Sequence, residues 1–165
     1  MRVIEQIKSH DSVSILHRES SYIPKENKPQ FKRLHTLLAN EFIPREKEGM
    51  AVGLALNQLN SPYNGFIFIR NSGVLSVIFN ARLVAVSGNT LNSKEGCLSV
   101  KKGNKFLSIP RYDKVTIEHY NWKEDEMVLD TFEGKEAIIV QHEIDHLRGI
   151  SILKRKESQN EIQSD

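Results

Sequence analysis

The apolar positions fall into three blocks with different periods. Phe31, Leu34, Leu37, Leu38 and Phe42 recur at helical spacing behind Pro29, a residue suited to a first helical turn. They predict an amphipathic helix of about three turns that ends before Pro44. Upstream, residues 8–28 are polar and punctuated by Pro24, the pattern of an irregular arm. Downstream, residues 48–58 set Gly49 and Gly53 among small and apolar side chains, which suits a tightly packed, closely approached backbone.

Residues 66–69, 75–79, 83–86 and 115–120 are short, β-branched or aromatic, and separated by Asn, Ser and Gly. They predict strands, with 127–132 as the hairpin partner of 115–120. After Gly134 the period becomes helical again through Ala137, Ile138, Val140, Ile144 and Leu147, with Gly149 placed to stop the helix. The expected class is α+β: an N-terminal helix, short and mostly antiparallel strands, and a C-terminal helix packed on the sheet. Residues 1–153 are expected as one domain and 154–165 as a short charged tail.

Composition narrows the function classes. With 23 Lys+Arg against 21 Asp+Glu the net charge is +2, too small a field to point to nucleic acid or an acidic membrane. A hydrophobic fraction of 39% with 27% charged residues is ordinary for a folded domain and excludes disorder of the whole chain. No run approaches the roughly 18 apolar residues of a membrane span. Residues 1–6 show no apolar stretch of secretory length, so a cytoplasmic protein is the expectation, and a compact single domain is expected to be a monomer. The single cysteine, Cys97, cannot close an intrachain disulfide.

The chemistry lies on the last helix, in His142-Glu143-Ile144-Asp145-His146. At 3.6 residues per turn the two histidines stand one above the other and can face one ion. Glu143 sits about 100° round the helix, placed for work on water and not for ligation. A metzincin would need another histidine where Ile152 stands, and a thermolysin-like site would need an anchored later acid, for which only Glu157 and Glu161 are available. Cys97, in Glu95-Gly96-Cys97-Leu98-Ser99, completes a thiolate and two imidazoles with a fourth position open.

Three segments, Gly53-Leu54-Ala55-Leu56-Asn57-Gln58, Glu95-Gly96-Cys97-Leu98-Ser99 and Gln141-His142-Glu143-Ile144-Asp145-His146, resemble in order and spacing the three motifs of peptide deformylase. The resemblance implies removal of the formyl group from N-formylmethionyl peptides. It implies Cys97, His142 and His146 as metal ligands and Glu143 as general acid and base. The Gln58 amide and the Leu98 backbone N–H would stabilise the oxyanion. Substrate backbone would pair with Val52 and Gly53, beside Gly96, and the methionine side chain would meet Ile138 and Ile139, whose plainer role is core packing. Fe(II) is the implied cellular metal, with Zn, Ni or Co as occupants of purified protein.

The family's long C-terminal helix, associated with the ribosome, has no full counterpart in this sequence, so ribosome contact by that route is not expected. Ala51 and Leu56 stand where the family usually has Gly and Ala, and Lys101 where it often has Pro. Leu56 is expected to crowd its surroundings by about 1 kcal/mol or more unless a neighbour is smaller. Asp145 reads as an imidazole-orienting acid or an exposed carboxylate. Arg111 reads as a surface charge or a group near the bound peptide, and His10, His17, His35 and His119 as solvent-facing. The alternatives are a catalytically silent relative that only binds peptides and a metallopeptidase of the same helix pattern.

Overall fold

The computed structural model describes residues 1–7, 14–100, 106–156 and 158. His10, the segment around Lys101 and the acids Glu157 and Glu161 lie outside the described residues. The first helix, α1, spans Lys28–Lys47. Asn27 caps it by accepting a bond from the Gln30 N–H, and Pro29 occupies the first turn, where no N–H is needed. Its buried stripe is Phe31, Leu34, Leu38 and Phe42.

The helix does not stop before Pro44 but carries it inside. The proline removes one intrahelical bond, a local cost of up to about 3 kcal/mol. A buried clamp offsets it. Arg45 donates to the Glu41 carboxylate at 3.0 Å and to the Arg2 carbonyl at 2.8 Å, while the Arg2 N–H donates to Glu41 at 2.8 Å. Tertiary bonds hold the last turn together where the local rule would end it.

Two three-stranded antiparallel sheets follow. One has the order β1 (Gly53–Ala55), β2 (Gly65–Ile69) and β3 (Leu75–Phe79); the other β4 (Arg82–Glu95), β5 (Leu107–Asn121) and β6 (Glu126–Glu133). β4 and β5 run far beyond the expected 83–86 and 115–120. The additional part of β4 is exposed along nearly all its length, so no buried face leaves an alternation to read. Its register shifts between Ser87 and Thr90, where Gly88 takes φ +75° and Asp113 accepts the Asn89 N–H at 2.9 Å.

The second long helix, α2, spans Gly134–Leu147 and packs on the second sheet and on β1. Phe66, Phe68, Val115, Ile117, Phe132, Val140 and Ile144 form the core between them, and a second cluster joins α1 to the first sheet. Gly149, at φ +72°, ends α2: its N–H bonds the His146 carbonyl and the Ile150 N–H bonds that of Asp145. A side chain there would meet the His17 backbone at 2.6 Å.

Leu56 is fully buried, and its Cδ1 would lie 2.8 Å from a Cβ placed on Gly65. Gly65 is thus the small neighbour that makes room for it. His119 corrects an expectation: it is buried, and its Nε2 bonds Asp130 at 2.8 Å because the hairpin register of β5 and β6 brings the two together. Among the described residues no helix is long and apolar enough to cross a membrane.

Candidate metal centre

Cys97, His142 and His146 come together although 45 residues separate the thiol from the first imidazole in a chain of 165. One ligating atom from each lies within 4.8 Å of the others. The loop after β4 delivers the thiol, with Sγ 3.3 Å from His146 Nε2, and the two imidazole centroids on α2 are 4.9 Å apart. Burial alone would raise the Cys97 pKa, yet the adjacent His146 and His142 hold the thiol well below its usual range. His142 is held well above its own range against burial, by Cys97 and Glu95. Thiolate is the ligating form of cysteine, whereas an ion bound here must displace the proton that Cys97 and Glu95 favour on His142.

Glu95 fixes His142. Its Oε1 stands 2.9 Å from Nδ1, which leaves Nε2 as the nitrogen for an ion. Arg111 in turn grips Glu95 through Nε at 2.7 Å and Nη2 at 2.8 Å, and reaches Asp145 through Nη1 at 2.6 Å. Arg155 closes the network with bonds of 2.9 and 2.6 Å to Asp145. Arg111 is therefore buried and not a surface charge, and Asp145 is buried against two arginines instead of orienting an imidazole itself. Arg155, placed by sequence in the tail, belongs to this network. The motif acid two positions before the thiol was a visible signal for Glu95, but its partner was not.

This network makes stability acid-sensitive. Burial pushes Glu95 up, but the bonds to Arg111 and His142 more than compensate and bring it from about 4.5 down to about 2. Asp145 is lowered too, against burial, by Arg155 and Arg111. A carboxylate lowered on folding stabilises the native state above its unfolded pKa and loses that contribution as pH falls through the folded one. Glu95 contributes on the order of 3 kcal/mol near neutrality on this basis. Acid titration followed by circular dichroism should show stability falling between about pH 4.5 and 2. Glu95→Gln should flatten that interval, and an unchanged slope would contradict the role of this network.

Glu143 is buried beside the triad. Its Oε2 has no hydrogen-bond partner, and burial raises its pKa although His142 and His146 pull it down. Across from it, a Cβ on Gly53 would lie 2.5 Å from Glu143 Oε1, so the strand's bare backbone is what lets the carboxylate in. Gln58 is pinned at both ends of its amide: Oε1 accepts the Ala55 N–H at 3.0 Å, and Nε2 is 3.1 Å from Ser99 Oγ and 3.7 Å from Cys97 Sγ. Asn57 donates to the His146 carbonyl at 2.6 Å, tying the first motif to α2.

A cleft of about 900 Å³ opens over these groups. Val52, Gly53, Gln58, Gly96, Cys97, Leu98, Ile138, Ile139, His142 and Glu143 line it, while His146 lies buried behind. Ile138 and Ile139 both line the cleft, and Ile139 also belongs to the core. β1 pairs with β2 on one side only, so its other edge is unpaired within the sheet.

A family model described as polypeptide deformylase matches residues 4–161. The chain belongs to the polypeptide deformylase family. Among its curated relatives, the peptide deformylase of Desulfosudis oleivorans is 38% identical over 108 residues, 63% of this chain and 61% of the relative. The Helicobacter pylori peptide deformylase is 36% identical over 124 residues, covering 67% and 69%. The aligned stretch therefore spans about three fifths to two thirds of these deformylases. In structure, the chain is similar to an actinonin-bound class I type b peptide deformylase from Acinetobacter baumannii, with a TM-score of 0.78 and 25% identity over 94% of this chain and 97% of that one. Deformylases use a single divalent metal, and one sulfur with two nitrogens is a donor set that suits a divalent transition ion.

Proposed function

We propose that this chain hydrolyses the N-formyl group of formylmethionyl peptides, with Cys97, His142 and His146 holding one divalent ion, Fe(II) in the cell. The observation that carries the reading is the buried, unpartnered Glu143 Oε2 beside three converging donors. When bound, the ion supplies Lewis acidity, which polarises a carbonyl oxygen and makes water more acidic. Zn, Ni or Co fit the same donors in purified protein.

The chain's own groups supply the rest. The free edge of β1 at Val52 and Gly53, with Gly96 opposite, takes the peptide backbone as an added strand, a mode that reads few side chains. Ile138 and Ile139 take the methionine side chain. Glu143 Oε2 accepts the proton of the attacking water as its oxygen bonds the formyl carbon. The Gln58 Nε2–H and the Leu98 N–H donate to the oxygen that gains charge. Glu143 then passes the proton to the peptide nitrogen as the carbon–nitrogen bond breaks, leaving formate and a free amine.

The discriminating test is formate release from formyl-Met-Ala-Ser by metal-loaded protein, with internal peptide bonds followed in parallel. Formate with intact Met-Ala-Ser supports the reading. Binding without formate would point to a silent peptide-binding relative, and cleavage at Met-Ala to a peptidase. Cys97→Ser should lower metal retention, since a hydroxyl is a poorer ligand than a thiolate. Tight stoichiometric metal in that variant would contradict Cys97 as a ligand.

A further inference from the structure

Residues 5–7 run past both segments that carry the oxyanion donors. The Glu5 N–H donates to the Gln58 carbonyl at 2.8 Å, Gln6 Nε2 to the Leu98 carbonyl at 2.9 Å, and the Ile7 N–H to the Ser99 carbonyl at 2.8 Å. The same run is fastened upstream at Arg2, through the buried Glu41 and Arg45. Gln6 is the member that bonds through its side chain, and it lines the cleft.

We infer that Gln6 is a positioning residue for the oxyanion donors. This rests on the deformylase reading above. By holding the Leu98 carbonyl, its carboxamide fixes the peptide unit between Leu98 and Ser99, next to the one that carries the Leu98 N–H. Ser99 transmits the same constraint to the second donor, because its Oγ is 3.1 Å from Gln58 Nε2. Donors of this kind act by being aimed in advance at charge that appears only in the transition state. Loosening them costs turnover and leaves peptide binding at the β1 edge almost untouched, which separates this role from a general structural one.

The test compares Gln6→Met, which keeps length but removes the donor, with Gln6→Lys, which restores an N–H at similar reach. In metal-loaded protein Gln6→Met should lower kcat about tenfold with KM within about twofold. Metal per chain should stay constant, and amides 98–100 should exchange faster. Gln6→Lys should recover most of kcat. Should Gln6→Met fail to fold, Gln6→Asn, one methylene too short to reach, is the second variant. Wild-type kcat in Gln6→Met, equal loss in Gln6→Lys, or unchanged exchange would overturn the role. Absence of formate release from the wild-type protein would instead remove the deformylase reading, and this role with it.

Discussion

Glu143→Gln is expected to lower kcat/KM for formyl-Met-Ala-Ser by about three orders of magnitude, in the range seen when a general acid–base is lost. Metal content per chain should not change. The substitution keeps the shape of the side chain, and Glu143 is outside the three donors that converge within 4.8 Å. What it removes is the only carboxylate oxygen among the described residues that is buried without a partner. An amide cannot take a proton from water near neutral pH. Burial raises the Glu143 pKa toward the range where a carboxylate both accepts and returns a proton usefully. Turnover within twofold of wild type would remove Glu143 from the reaction.

Gly53→Ala is expected to cost about a hundredfold in turnover with the fold intact, because small misplacement of a reacting group is enough for that. Gly53 lies in a strand and not at positive φ, so alanine meets no backbone penalty. The penalty is local: the new Cβ would stand 2.5 Å from Glu143 Oε1, 3.0 Å from Cδ and 3.1 Å from Cγ. The carboxylate must swing away from its position over the triad. The methyl would also stand at the strand edge assigned to the peptide. If displacement of Glu143 is the main cause, the Gly53→Ala, Glu143→Gln double variant should be little worse than Glu143→Gln alone. Full additivity of the two losses would contradict the coupling.

The part of the site built by local periodicity was legible in the sequence. His142 and His146 share a face because helical repeat dictates it, and Cys97 stood out as the chain's one thiol within a recognisable motif. The Glu95–Arg111–Asp145–Arg155 network was not legible, because it depends on the long β4–β5 pairing that sets Leu91 opposite Arg111. That pairing was itself invisible, since the outer half of β4 is exposed and carries no alternation. α1 continues through Pro44 because Arg2, distant in sequence, bonds the Glu41–Arg45 pair within the helix, a tie that a local rule does not count. Gly65 compensates Leu56 across the first sheet, a relation that only the packing reveals. Residues 1–6 were read only for the absence of an apolar leader, yet Gln6 bonds the second motif.

The most direct measurement is anaerobic titration of metal-free protein with Fe(II), recording formate release from formyl-Met-Ala-Ser at each step. Formate release should rise in proportion to added metal and level off at about one equivalent per chain, as expected for a single three-donor centre with an open position. Formate release that is independent of metal, or absent from the fully loaded protein, would contradict a metal-dependent deformylase centred on Cys97, His142 and His146.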